Sequence, residues 1–164
     1  MTQVDFYILN NTKVEQFACL LTEKAFKKGH KVHLLTTDEN QTARMDKLLW
    51  TYNDQSFLPH VAINDDSHTS EHESQHTPQH KSQHELQKET PIHISHDDQN
   101  ALLSDVLINL RSEIPSFYQQ FNRIAELVSS DERQRQAARV QYREYQQRGC
   151  TVASHQITSH QTNR

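Results

Sequence analysis

The sequence predicts an α/β fold, in which helices cover a largely parallel β-sheet. Residues 4–9 form a short apolar run of aromatic and β-branched side chains, which is typical of a buried strand. A helical pattern follows, and residues 31–36 form a second apolar run. A strand, a helix and a second strand at this spacing make a βαβ unit, whose strands pair in parallel through a right-handed crossover.

The helix of this unit has a clear apolar stripe and clear end signals. Thr12 followed by Glu15 predicts a capping box at its start, and Gly29 predicts a left-handed cap after its end. The apolar side chains recur at i, i+3, i+4, i+7 and i+11, at Val14, Phe17, Ala18, Leu21 and Ala25. This pattern predicts an amphipathic helix of about four turns.

The turn after the first strand lacks the glycines that phosphate-binding loops require. It reads LNNTKVEQ, and the whole chain contains only Gly29 and Gly149. Neither a GxGxxG fingerprint nor a GxxxxGK[ST] loop is therefore present. A Rossmann-like domain without a phosphate-binding loop is expected to be a binding scaffold rather than an NTPase or a dehydrogenase.

A second helix is predicted over residues 39–52, with Asp38 as its N-cap and Gln41 at the third helical position. Its core stripe consists of Met45, Leu48, Leu49 and Tyr52. Trp50 lies about 150° around the helix from that stripe, so we expect the indole to be partly exposed or covered by another element. Exposed tryptophans often anchor a partner, whereas the alternative is an indole folded under the following loop.

The segment after this helix, residues 56–64, alternates apolar side chains around Pro59 and predicts an edge or irregular strand. Residues 65–90 then break the composition, because Leu86 is their one large aliphatic residue, and they predict a disordered insertion within the domain. Histidines recur every four residues in it, at His68, His72, His76, His80 and His84. Metal binding by these histidines requires a helix, which the proline and the Ser/Thr content oppose.

The remaining chain predicts strands at residues 91–95 and 105–110, and a helix that begins at Pro115. The expected core face of that helix is Phe117, Phe121, Ile124, Ala125 and Val128. After Gly149 come a short candidate strand and a flexible tail, residues 157–164. Together these elements predict one domain over residues 1–164, with three α/β/α layers and a sheet of four to five strands.

Composition excludes several classes of function. The net charge of -4 and pI near 6.3 argue against a dedicated duplex-DNA binder, which needs a broad basic surface. No catalytic constellation of serine, cysteine, histidine or paired carboxylates is apparent, so we expect neither an enzyme nor a cofactor. Cys19 and Cys150 lack ligand spacing, and no stretch has the length of a transmembrane helix, which predicts a reduced, soluble, cytoplasmic protein.

A locally basic helix is predicted over residues 131–148, where five of the nine arginines of this acidic chain fall. Arg135, Arg139 and Tyr142 project from one side of that helix at about 100° per residue. This side offers guanidinium groups for carboxylates, with an aromatic ring beside them. The alternative is a solvated helix, whose arginines pair with Asp131, Glu132 and Glu144.

Outside residues 64–90, the chain resembles the chi subunit of bacterial DNA polymerase III holoenzyme, an accessory protein of the clamp-loader complex. The resemblance is carried by segments in matching order along the chain: FYIL, GHKVHLL, DENQTARMDKLLW, SFLPH, DVLINLR and AARVQYREYQQRG. It implies a non-catalytic α/β domain with two partners. These are the psi subunit, which connects to the clamp loader, and the acidic C-terminal tail of single-stranded DNA-binding protein, so that contact with DNA is indirect.

The resemblance also implies which residues bind. The positions that match the tail pocket of the family are Trp50, Val128, Arg135, Arg139 and Tyr142, which predicts one cleft for the terminal carboxylate and apolar side chain of the tail. Phe57 matches a position implicated in psi binding. Arg135 stands where some relatives have lysine, and the histidine-rich insertion departs from the family.

Two other functions are compatible with single features of the sequence. A metal-handling protein is suggested by the spaced histidines, and a degenerate nucleotide-binding enzyme by the βαβ start. The low glycine count opposes the second.

Overall fold

The fold is built on a parallel sheet of seven strands. The computed structural model describes residues 2–52, 55, 57–63, 90–98 and 105–158. Its strands are β1 (Gln3–Leu9), β2 (Val32–Leu35), β3 (His60–Ala62), β4 (Ile92–Ser95), β5 (Val106–Asn109), β6 (Arg123–Val128) and β7 (Thr151–Ile157). Its α-helices are α1 (Val14–Lys27), α2 (Glu39–Thr51) and α3 (Glu132–Gln147), and a 3₁₀ turn covers Tyr118–Gln120.

The strand order is β3-β4-β2-β5-β6-β1-β7, and every neighbouring pair is parallel. The helices α1 and α2 cover one face, where Phe17 and Met45 belong to one apolar cluster. On the other face, which we call the α3 face, Phe121 and Ala138 belong to a second cluster. The three-layer α/β prediction is therefore confirmed, although the sheet has more than the expected four to five strands.

The prediction of a helix that begins at Pro115 is wrong. This segment forms the 3₁₀ turn and then β6. Along β6, Ile124 and Val128 pack on the α3 face, whereas Ala125 and Leu127 pack on the opposite face. A central parallel strand is buried on both faces, so its nearly continuous apolar run also matched a helical spacing.

Local signals at the helix ends were mostly correct. Asp38 Oδ1 accepts a hydrogen bond from the Gln41 backbone N–H at 2.7 Å, as predicted for the start of α2. Gly29 has a positive φ of 83° after α1. The capping box at Thr12 is wrong, because α1 begins after Lys13 and has no side-chain cap.

The end of the chain also differs from prediction. The candidate strand is confirmed as β7, which pairs with β1 at one edge of the sheet. Ile157, predicted to begin the tail, is buried as the last residue of β7. The other tail residues after Thr158, and the predicted disordered insertion apart from Thr90, lie outside the described residues. Within the described ranges, no helix is both long and apolar enough to cross a membrane.

A buried polar network connects β5, β6 and α3. The Glu126 side chain is 1% exposed, and both of its oxygens accept hydrogen bonds from Asn109 Nδ2 at 3.0 Å. Tyr145 on α3 donates its hydroxyl to Glu126 Oε1 at 2.6 Å. Burial raises the pKa of Glu126 to about 7, although these hydrogen bonds act in the opposite direction.

We expect Glu126→Gln to remove a pH dependence of stability. With a folded pKa near 7 and a reference value of 4.5, the folded state binds more protons than the unfolded state between these values. Wild-type stability contributed by this group therefore falls as pH rises through that window, and is lower by about 3 kcal/mol above it. The free energy of unfolding of Glu126→Gln, relative to wild type, should rise by up to this amount between about pH 5 and 8.

The measurement is urea unfolding of both proteins across that pH range. Other titrating groups, such as His33, whose pKa burial lowers to about 3, contribute equally to both proteins and cancel in the difference. Glu113→Gln is the matched control, because the Glu113 side chain is exposed. A difference between Glu126→Gln and wild type that stays constant with pH contradicts the prediction.

Candidate functional site

The helix α3 is attached to the sheet by a narrow buried side. Asp131 Oδ1 caps its start by accepting from the Arg133 backbone N–H at 2.9 Å. Tyr145 is fully buried, with its ring 6.1 Å from Phe6 and 5.7 Å from Tyr118 between centroids. Burial raises the pKa of its hydroxyl, which therefore stays protonated and donates to Glu126. These contacts determine which side of α3 faces β1 and β7.

A basic cleft lies between α3 and the β1–β7 end of the sheet. Its volume is about 380 Å³, and its lining residues are Phe6, Ile8, Arg135, Ala138, Arg139, Tyr142, Arg143, Ser154 and Gln156. The sheet side is mixed, with apolar Phe6 and Ile8 from β1 and polar Ser154 and Gln156 from β7; the helix side carries guanidinium groups, and none of these lining side chains is acidic. The prediction that Arg135, Arg139 and Tyr142 share one side of the helix is confirmed.

The guanidinium groups of the cleft have few competing carboxylates. Arg135 Nη2 donates to Asn10 Oδ1 at 2.8 Å, and its Nε is buried without a hydrogen-bond partner among the described residues. Arg139 Nη1 lies 3.6 Å from Glu132 Oε1, but both side chains are about 65% exposed. Such an exposed pair contributes little free energy and exchanges easily with a ligand. Arg148 pairs with Glu144, so the solvated-helix alternative describes one part of α3.

Tyr142 lines this cleft, whereas Val128 is buried and does not. The Tyr142 ring lies 5.4 Å from the Phe6 ring, and its hydroxyl donates to the Val152 carbonyl at 3.4 Å. Val128 is buried in β6, opposite Ile8 in the strand register, and it is not a lining residue. Tyr142 is therefore available to a ligand, whereas Val128 is buried beside Ile8 in the neighbouring strand.

An aromatic patch, formed by Trp50, Phe57 and His60, lies beside β3. Trp50 is 55% exposed and Phe57 is 67% exposed, so the predicted partial exposure of the indole is confirmed. The indole lies 5.4 Å from the Phe57 ring and 4.6 Å from the His60 ring. His60 is held beneath them, because its Nε2 lies 3.1 Å from the Asp46 carboxylate.

The expectation that Trp50 shares a cleft with Arg139 is wrong. Trp50 contacts β3, which is first in the strand order, whereas the basic cleft lies over β1 and β7, the sixth and seventh strands. Five strand spacings separate β3 from β1, a distance of about 24 Å. The helices α2 and α3 also lie on opposite faces. Helical periodicity predicted that the indole is exposed, but it contains no information about strand order.

Half of the basic cleft belongs to the sheet, and helical periodicity does not predict it. Phe6 and Ile8 come from β1, and Ser154 and Gln156 come from β7. Their alternation within each strand is visible in the sequence, but the adjacency of the two strands is not. Within the part of the chain that the structure describes, no group of three or more His, Cys, Asp or Glu side chains could hold a metal ion.

The family model of the DNA polymerase III chi subunit, HolC, matches residues 1–153. The chain belongs to this family. It is 32% identical to DNA polymerase III subunit chi of Pseudomonas aeruginosa, over 96% of this chain and 98% of the relative. It is 25% identical to the Escherichia coli chi subunit, over 93% of this chain and 96% of the relative. The resemblance inferred from the sequence segments is thus confirmed.

A solved structure outside the chi family shares the fold. The RNA helicase Prp28 from Chaetomium thermophilum superimposes with a TM-score of 0.59, over 100% of this chain and 40% of the helicase chain. The sequence identity is 8%, so this similarity concerns the arrangement of strands and helices alone.

We expect the fluorescence of Trp50, the only tryptophan, to report on the aromatic patch and not on the basic cleft. Phe57→Ala should increase acrylamide quenching of Trp50, because it removes the ring that lies against the indole. Arg139→Ala should leave the quenching constant unchanged, and Tyr142→Phe is a second control from the cleft. A change in quenching with Arg139→Ala contradicts the separation of the two surfaces.

Proposed function

We propose that this chain is a non-catalytic accessory subunit of the replicative DNA polymerase holoenzyme. In this role it links the clamp loader, through the psi subunit, to the acidic C-terminal tail of single-stranded DNA-binding protein. Membership of the chi family supports the holoenzyme role. The observation that carries the tail-binding role is the basic cleft, which combines arginines that have few carboxylate partners with the apolar side chains Ile8 and Tyr142.

The chemistry of the cleft suits the end of an acidic chain. Arg139 is exposed and can place its guanidinium fork on a terminal carboxylate. Arg135 has a buried Nε–H without a partner among the described residues, and an acidic group of the tail can supply one. The Tyr142 ring and Ile8, both partly exposed, offer an apolar surface for the last side chain of the tail.

The aromatic patch suits the second partner. Two large apolar side chains that are mostly exposed and adjacent, Trp50 and Phe57, are the typical anchors of a protein interface. We therefore propose that psi docks on this patch and that Trp50 acts there with Phe57, not in the tail cleft. Because the two surfaces lie at opposite ends of the sheet, and α2 and α3 lie on opposite faces, both partners can bind at the same time.

The tail interaction should be weak by itself and sensitive to salt. A peptide that fills one small cleft buries less surface than a standard interface, which corresponds to an affinity in the micromolar range. Charge pairs at an exposed site are screened as ionic strength rises. Many tails on one DNA-bound oligomer raise the effective concentration and compensate for the weak single contact.

Arg139→Ala is expected to weaken binding of a tail peptide by at least about tenfold, because hydrogen bonds to a charged group are lost. Isothermal titration calorimetry with a peptide that ends in an acidic run, proline and phenylalanine measures this effect. Amidation of the C-terminus of this peptide should weaken its binding to the wild type by a similar factor. Arg133→Ala is the control, because Arg133 is on α3 but does not line the cleft. Equal affinities for wild type and Arg139→Ala contradict the tail assignment.

Phe57→Ala and Trp50→Ala are expected to weaken binding of psi and to leave tail-peptide affinity unchanged. Truncation of a central aromatic anchor typically costs about 2 kcal/mol or more, which is about 30-fold in affinity. Val140→Ala is the matched control, because it removes another exposed apolar side chain, which is on α3 and does not line the basic cleft. Loss of tail binding in Trp50→Ala, with psi binding intact, contradicts the assignment of Trp50 to the patch.

A further inference from the structure

The outer edge of β7 is a long strand edge with no neighbouring strand among the described residues. The strand is last in the sheet order and has seven residues, Thr151–Ile157, which extend over about 23 Å. It pairs with β1 along its whole length. Its other edge is therefore an outer edge of the sheet.

The hydrogen bonds to β1 determine which backbone groups face outwards. The Thr151 N–H donates to the Thr2 carbonyl at 3.2 Å, and the Ile157 carbonyl accepts from the Asn10 N–H at 3.1 Å. Since backbone direction alternates along a strand, the odd-numbered residues of β7 face β1. The N–H and C=O groups of Val152, Ser154 and Gln156 therefore point away from the sheet.

Apart from the Val152 carbonyl, these outward groups are available for pairing. The Val152 carbonyl accepts from the Tyr142 hydroxyl, and no other contact of these backbone groups occurs within the described part of the chain. Proteins usually protect strand edges with proline, charged side chains or short length. The opposite edge strand, β3, has three residues and follows Pro59. By contrast, β7 has the sequence TVASHQI, with no proline and no Lys, Arg, Asp or Glu.

The edge of β7 is continuous with the basic cleft. Ser154 and Gln156, whose backbone groups face outwards, also line the cleft with their side chains. A strand added to this edge therefore runs along the open side of the cleft. Alternate side chains of the added strand face the wall that carries Arg139 and Arg143, so acidic side chains at those positions are favoured.

Segments of this chain are poorly suited to occupy the edge. Residues 158–164, TSHQTNR, contain no acidic and no large apolar side chain. The histidine-rich segment is connected to β3 and β4, at the other end of the sheet. Charge complementarity with α3 favours an acidic segment from another protein instead.

We propose that β7 binds an extended acidic segment of a partner by β-strand addition, and that the segment ends with its carboxyl terminus in the basic cleft. This proposal rests on the proposed function and specifies how the residues upstream of the terminus are bound. Main-chain hydrogen bonds to Val152, Ser154 and Gln156 supply affinity that does not depend on sequence. The arginines select for acidic composition, so acidic tails of different sequence can bind the same edge.

The decisive experiment is an N-methyl scan of the tail peptide, measured by calorimetry against the full-length chain. Strand addition presents every second N–H of the peptide to β7, so N-methylation should weaken binding about tenfold at alternate positions and little at the positions between them. Docking through side chains alone produces no alternation. A scan without period two overturns the proposal.

Substitutions at Ser154 test the same strand pairing by changing β7 in place of the peptide. Ser154→Pro removes an N–H that makes no bond to β1 and adds ring atoms at the outer edge, which an edge strand tolerates. Ser154→Ala is the matched control, because it removes the hydroxyl and keeps the N–H. Both variants remove the cleft-lining hydroxyl, so we expect the proline variant to bind the peptide about tenfold more weakly than the alanine variant. Equal affinities in the two variants overturn the proposal.

Failure of this proposal can be distinguished from failure of the proposed function. If Arg139→Ala weakens binding but neither the scan nor Ser154→Pro shows the expected effect, the cleft binds the terminus and β7 takes no part. If thermal unfolding shows that Ser154→Pro does not fold, the N-methyl scan alone decides. Sedimentation of the wild type without peptide tests for self-association. A wild-type dimer that Ser154→Pro dissociates identifies β7 as a self-association surface and overturns the proposal.

Discussion

The hydrogen bonds of the buried Glu126 carboxyl group hold α3 on the sheet. The helix buries few side chains, Ala138, Gln141 and Tyr145, so apolar packing alone attaches it weakly. The Tyr145 hydroxyl bonds to Glu126, and Asn109 bonds to both oxygens of the same group from β5. A buried carboxyl group without such partners costs several kcal/mol, which makes this one arrangement of three elements strongly preferred. The position of the arginine wall over β1 and β7 depends on it.

Strand order then determines how the binding surfaces are distributed. The two edges of the sheet are β3 and β7, and each lies beside one of the proposed surfaces. An aromatic patch at the short, proline-flanked edge suits recognition by side chains. A basic cleft at the long, uncharged edge suits recognition of an extended chain. Two different surfaces at opposite ends of one sheet are consistent with the proposed role as a connector between two partners.

The elements that the sequence predicted correctly are those with strong local signals. The stripe of α1, the Asp38 cap of α2 and the apolar runs of β1 and β2 are determined by neighbouring residues, and the structure has all of them. The failure at β6 has a physical cause. Because β6 is buried on both faces, its side chains show no alternation of polarity, and Glu126 inside it pairs with residues from β5 and α3. Its identity as a strand depends on neighbours that are distant in sequence.

The sequence by itself determined the chemistry that each helix presents. Periodicity places Arg135, Arg139 and Tyr142 on one side of α3 and places Trp50 away from the core stripe of α2, since side-chain direction follows from the local backbone. Only the tertiary structure decided which of these surfaces lie together. Parallel strands pair across long crossovers, and the resulting order separates Trp50 from Arg139 while it brings β7, the last strand, beside β1, the first. Local backbone geometry specifies direction around an axis, whereas the neighbours of a surface are decided by contacts between residues that are far apart in the chain.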